Sequence, residues 1–409
     1  MRKFWTKEET LWSFALYGTA VGAGTLFLPI QLGSAGAIVL LLTALIAFPF
    51  TYWPHRALCQ FILAARTRGG EGITSAVSHY YGRTIGYLIT GLYFLAFFVV
   101  ILIYALAITN SLTGQLAKYI PVTTGIRALV SLGVVAALNL IFLMGRQTTI
   151  KVMGFLVFPL IGYFLFLSCY LISRWQTSLL TEGLTFDSHA LGEIWMSIPV
   201  MVFAFSHTPI ISTFAVAQRE SHGAGALDNC KKIMRVAYFI ICCSVLFFVF
   251  SCFLSIPAEL IASAKAQGVT ILSALAMIPG TPAWLGISGF LVAIIAMSKS
   301  FLGTYFGVIE GATAIVKSTL HASGCNKSRA FCRALSIGLI SALTFAVCCI
   351  NPNALAMISA ISGPLIAMIL FIMPTLSTYL VPALRPWRSL ANLLTLIVGI
   401  LCVSVMFIH

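Results

Sequence analysis

Gly18-Thr19-Ala20-Val21-Gly22-Ala23-Gly24-Thr25-Leu26-Phe27-Leu28-Pro29 is the stretch on which the fold turns. It lies in an apolar run, about 11–32, long enough to cross a bilayer, which takes roughly 20 residues. Each glycine costs a helix interior about 1 kcal/mol relative to Ala. Gly22 and Gly24 stand two positions apart with Pro29 beyond them, so local unwinding is expected over Gly22–Thr25. Unwound backbone at membrane depth is tolerated only where it is buried in protein or lines a cavity. Its N–H groups at a half-helix N-terminus suit a carboxylate, and its carbonyls suit an ammonium or a cation. The competing reading is close helix packing through small residues.

Working outward, ten further apolar runs follow, at about 36–55, 84–112, 126–144, 150–173, 194–215, 234–256, 284–316, 331–350, 354–381 and 389–408. Hydrophobic residues make up 60% of the 409-residue chain and charged residues 8%, against about 25% charged in soluble domains. Lipid is therefore the expected solvent, and membrane lipid an expected partner. The runs must be helices, because most backbone polar groups at that depth are satisfied within a helix. The expected fold is an all-α integral membrane protein of eleven spans, forming one transporter domain over 1–409. The connections are too short to fold as soluble domains.

The net charge of +14 reflects topology rather than nucleic acid, since no basic stripe is interleaved with aromatics. With the N-terminus in the cytoplasm, 19 cations fall in inside segments and four in outside segments: Lys118, Arg127, Arg174 and Lys265. That ratio predicts N-terminus in, C-terminus out. The charged start, with Glu8 and Glu9, is unlike a cleaved signal. The 11 cysteines form no CxxC, and no Cys/His spacing suits zinc. No P-loop, GxGxxG, HExxH or GxSxG occurs. Neither a metal, a cofactor nor an enzymatic activity is expected, and energy should come from an ion gradient or substrate exchange.

A second interruption, Phe205-Ser206-His207-Thr208-Pro209, falls in the sixth run. Pro209 removes a backbone donor, and Ser206, His207 and Thr208 are positioned to read a substrate hydroxyl. A kink capped by its own hydroxyls is the bland alternative. Interrupted helices in matching positions, first and sixth, point to a five-plus-five inverted-repeat transporter. The tenth run carries a third interruption, Ser362-Gly363-Pro364.

Lys299, in Ser298-Lys299-Ser300 near the middle of the eighth run, is the one cation inside a span. Such a charge costs roughly 2.5–3.5 kcal/mol on insertion scales and usually marks a pathway. Either it stands where other transporters hold sodium or it carries the coupling proton; a static interior contact is the alternative. Glu310 lies eleven positions on, about 16 Å along the helix, on a proton route or simply solvated near the helix end. Tyr104, in the third run, is a candidate contact for a substrate carboxylate or else a packed phenol.

The Gly18–Pro29 stretch resembles the first span of the bacterial hydroxy/aromatic amino acid permease family. So do His55-Arg56-Ala57-Leu58, Lys151-Val152-Met153, Val202-Phe203-Ala204-Phe205-Ser206 with Ser212, Lys299-Ser300-Phe301, Gly307, Glu310-Gly311 and Asn351-Pro352-Asn353. The likeness covers essentially the whole chain and is nearest the serine and threonine permeases. It implies the inverted repeat of the amino acid–polyamine–organocation superfamily, with discontinuous helices 1 and 6. It also implies proton symport of L-serine or a close relative across a Gram-negative inner membrane. Carried over, the substrate contacts are Thr19, Gly22, Ala23, Gly24, Thr25, Tyr104, Phe205, Ser206, His207 and Thr208. The coupling group is Lys299 with Ser298, Ser300 and Glu310. His207 departs from the Asn expected in some serine permeases, which leaves threonine or an aromatic amino acid, or exchange, as alternatives. A channel would need a polar pore stripe, absent here, and a sensor an output domain.

Overall fold

The computed structural model describes residues 5–65, 72–180, 188–278 and 280–408. Every regular element among them is helical. Helix α1 (Lys7–Ala20) starts where Thr6 and Glu9 cap one another: the Glu9 N–H donates to Thr6 Oγ1 at 3.2 Å and the Thr6 N–H to Glu9 Oε2 at 2.8 Å. It stops because Val21 (ψ 101°) and Gly22 (φ −153°, ψ −146°) leave helical space. Helix α2 (Ala23–Ala35) then resumes, bent by 54° from α1. Gly36, at φ 94°, turns the chain into α3 (Ala37–Ala64).

Helix α4 (Ile73–Leu116) is interrupted at Gly82 (φ 77°, ψ 177°), so its first turns form a separate segment ahead of the span. Helices α5 (Thr124–Leu143) and α6 (Arg146–Leu171) follow. Next, α7 (Ser188–Phe205) and α8 (Thr208–His222) are separated at Ser206 and His207, where Pro209 sits in the first turn of α8. Helix α9 (Ala226–Ser255) leads to the short α10 (Ala258–Gln267) and α11 (Ile271–Leu275). Helices α12 (Ala283–Ala322) and α13 (Arg329–Ile350) come after them. The run 354–380 holds α14 (Ala354–Met357), α15 (Gly363–Ala367) and α16 (Met373–Leu380), and α17 (Leu390–Ser404) closes the order.

Nine helical runs among the described residues are long and apolar enough to cross a membrane, ten when bent α1 and α2 count as one span. The difference from eleven lies at the sixth expected span. Its first half, α7, is apolar but short, and its second half, α8, runs on into α9. The third interruption also differs from expectation. The tenth span is not unwound at Ser362-Gly363-Pro364 but stays helical, with π-helical turns at Ile358–Ser362 and Met368–Ile372. Each precedes a proline, Pro364 and Pro374, and accommodates the hydrogen bond that proline cannot donate without opening the helix.

The centre and the rim differ in burial. In α4, 72% of the apolar window is buried, in α13 only 22%. Helices α4 and α12 form the most extensive pair, α2 packs on α7, and α1 and α3 both pack on α9. Small residues let the central pair approach. A Cβ at Gly311 would lie 3.3 Å from Phe94 Cβ, and one at Gly307 3.3 Å from Tyr93 Oη. On α5, by contrast, Leu129, Leu132, Leu140 and Leu143 are exposed along one side. In water that stripe would be a liability; against acyl chains it is the expected surface.

Candidate functional site

The two interruptions meet. A Cβ on Gly24 would lie 2.5 Å from the Ala204 Cα and 3.0 Å from its N, so only glycine lets the first turn of α2 touch the end of α7. A Cβ on Gly22 would overlap the Ser300 hydroxyl and lie 3.4 Å from Tyr104 Oη. Ser300 Oγ and Tyr104 Oη therefore both border Gly22. The break thus has walls from α4, α7 and α12.

No side chain caps the start of α2. First-turn N–H groups have no partner within a helix, so those of Ala23, Gly24 and Thr25 form an electropositive end aimed out of the break. The Thr25 hydroxyl is buried there without a hydrogen-bond partner. The carbonyl on the other side of the break does have partners: Val21 O accepts from Lys299 Nζ at 3.2 Å and from Ser300 Oγ at 3.4 Å. Lys299 is 1% exposed, and among the described residues no carboxylate lies within ion-pair distance of it. Its amine therefore fills the space beside the Val21 carbonyl at the break.

Between the breaks is a narrow cleft of about 10 Å³, walled by Thr19, Tyr104, Ser206, His207 and Thr304 on its polar side and by Phe97, Val100, Phe203, Pro209 and Ile366 on its apolar side. Thr19 Oγ1 donates to Ala15 O at 2.9 Å, and Ser206 Oγ and Thr208 Oγ1 are paired at 2.9 Å. Phe205 is buried, and its carbonyl receives the His207 ring.

The structure brings Thr19, Tyr104, Ser206 and His207 to one cleft, and Lys299 and Ser300 to the neighbouring break. It does not bring in Glu310, which is exposed farther along α12, and Ser298 is only half-buried, without a bond to Val21. Both nitrogens of His207 are turned to protein: Nδ1 lies 3.1 Å from Phe205 O, and Nε2 lies 2.7 Å from Tyr238 Oη. Sequence reasoning missed Phe203, Thr304 and Tyr238. It also gave no role of its own to His55, which stacks on His207 with ring centroids 3.9 Å apart. A histidine inside α3, four residues from Thr51, was the available signal.

No family model matches the sequence. Among curated proteins, the inner membrane transport protein YqeG of Escherichia coli (strain K12) is 74% identical over 407 residues, spanning 100% of both chains. The serine transporter SdaC of the same organism is 40% identical, over 99% of this chain and 96% of its own. The threonine/serine transporter TdcC of Escherichia fergusonii is 32% identical, over 98% and 95%. Among solved structures, a mutant manganese transporter from Eremococcus coleocola superposes with a TM-score of 0.62 over 100% of this chain and 88% of that one. At 16% identity the likeness is one of fold alone.

Proposed function

The chain belongs to the family of the bacterial hydroxy amino acid permeases, and from that premise we propose that it imports L-serine or a closely related hydroxy amino acid by proton symport through alternating access. The observation that carries this reading is the contact of the two broken helices at Gly24 and Ala204, with a polar cleft beside it. An amino-acid zwitterion needs an anion site and a cation site a few ångströms apart. The uncapped N-terminus of α2 supplies the first and the carbonyls freed between α7 and α8 the second. Thr25 and Tyr104 stand beside the carboxylate end, while Ser206 and Thr304 are placed for the substrate hydroxyl.

Lys299 is the coupling group in this reading. Its ammonium on Val21 O ties α12 to the break, and releasing the proton would loosen that tie. A transmembrane potential supplies about 2.3 kcal/mol per charge per 100 mV, enough for accumulation on the order of fifty-fold per proton. The whole chain, 1–409, works as one domain in the inner membrane, with spans 1–5 and 6–10 as inverted repeats, an eleventh span added, and the N-terminus in the cytoplasm.

The test is uptake of radiolabelled L-serine into proteoliposomes under an imposed proton gradient, with and without sodium. Concentrative uptake that an uncoupler abolishes and sodium leaves unchanged is expected. A sodium requirement would remove the role given to Lys299. Absence of serine flux under every gradient would move the substrate to threonine or the aromatic amino acids.

A further inference from the structure

His207 and His55 form a buried pair whose hydrogen bonds close on themselves. Phe205 O and Thr51 O can only accept, so the nitrogens facing them carry the hydrogen: His207 Nδ1 at 3.1 Å and His55 Nδ1 at 2.7 Å. Each Nε2 is then an acceptor. His207 Nε2 takes the Tyr238 hydroxyl at 2.7 Å, and His55 Nε2 takes the backbone N–H of His207 itself at 3.3 Å. The rings are stacked 9° from parallel, and Tyr238 meets both, at 4.8 Å from His207 and 5.3 Å from His55.

The backbone N–H of His207 matters most. At φ −137° and ψ 36° His207 lies outside helical space, so no helical ladder serves its donor. A side chain from α3, 152 residues away in sequence, serves it instead. Pro209 permits an interruption here but does not choose its shape. The shape is set by α3 through His55 and by α9 through Tyr238.

We infer that His55 and Tyr238 are positioning residues of the transport site, holding the α7–α8 break in the conformation that presents Ser206 to the cleft. This rests on the reading of that cleft as the transport site. Neither residue touches the substrate; both act through His207, which offers the cleft ring carbons rather than a free nitrogen. Among the described residues, Tyr52 and Arg235, joined at 3.3 Å, and the Cys242 thiol beside Thr51 border the cluster.

The test uses the full chain, in nanodiscs for exchange and in proteoliposomes for uptake, with three variants. His55→Gln keeps an acceptor near the Nε2 position, His55→Leu removes it, and Tyr238→Phe removes the donor to His207. Hydrogen–deuterium exchange over 203–210 and the KM for L-serine uptake are both read. His55→Leu is expected to speed exchange at the break at least tenfold and to raise KM at least tenfold. His55→Gln should stay within threefold of the parent on both readouts, and Tyr238→Phe should fall between. Wild-type exchange in His55→Leu overturns the inference, as does a His55→Gln variant no better than His55→Leu. A fall in melting temperature with KM unchanged would mark a merely structural role and overturn it too. Should His55→Leu not reach the membrane, His55→Asn, too short to reach the His207 N–H, takes its place. If the parent protein moves no hydroxy amino acid, the transport reading fails, and the exchange comparison still decides whether the break is pinned.

Discussion

Lys299 shows what a single buried amine does to a carbonyl-lined break. Its Nζ reaches Val21 O at 3.2 Å, and a Cβ on Gly18 would sit 3.6 Å from it, so α1 passes close enough for the amine to fill the gap. A glutamine there keeps a donor for Val21 O but cannot carry a proton through the cycle. Lys299→Gln is therefore expected to abolish proton-driven accumulation while leaving serine counterflow within a few-fold of the parent. Loss of both activities together would make Lys299 structural. Gly24 is the matching position on the other wall. Ala204 backbone atoms stand where a Cβ would go, and backbone cannot swing aside as a side chain can. Gly24→Ala should raise the KM for serine more than tenfold, at an overpacking cost of about 1–3 kcal/mol, read as a lower melting temperature in detergent. At this scale the sequence was legible wherever one residue type contradicted its surroundings. A lysine in an apolar run and two glycines in a span both do so. His55 was not legible, because Pro54-His55-Arg56 reads as the end of a span; α3 instead continues to Ala64 and buries the ring. Glu310 was legible only as two readings: helical spacing put it near the face of Lys299, whereas its exposure depends on where the neighbouring helices end.

Among elements, the α4–α12 pair is the frame against which the broken helices are set. Helix α4 beyond its break at Gly82 and the 40-residue α12 both outrun a bilayer, so they cross it tilted or extend beyond it. Gly311 allows their contact at Phe94. Gly311→Val would push the pair apart at Phe94 and should cost about 1–3 kcal/mol. A drop in melting temperature with KM for serine nearly unchanged is expected, in contrast to Gly24→Ala; a large KM change would mean that the frame itself moves with substrate. Hydropathy marks such spans well because lipid imposes one simple rule on them. It is silent on pairing, since every apolar helix satisfies that rule equally. It is equally poor at half-helices: α7 and α8, at 18 and 15 residues, are too short to register separately as spans.

For the molecule as a whole, the number of crossings decides on which faces the loops emerge. The cation distribution, 19 against four, predicts the loop between α4 and α5 outside and the loop between α12 and α13 inside. Between these loops lie α5, α6, the α7–α8 pair, α9 and α12. If α7 and α8 together make one crossing, five spans separate the loops and they emerge on opposite faces. If the broken pair only dips into the membrane and returns, four spans separate them and they share a face. Cys325 is exposed in the second loop, and Lys118 is exposed in the first. Two single-cysteine forms of an otherwise cysteine-free chain, one keeping Cys325 and one carrying Lys118→Cys, therefore separate the cases with a membrane-impermeant maleimide. The Lys118→Cys form should label in intact spheroplasts, and the Cys325 form only after permeabilisation. Reversed labelling would invert the orientation and leave the span count standing. Labelling of both from one face would remove the sixth crossing, and with it the inverted repeat proposed for spans 1–5 and 6–10.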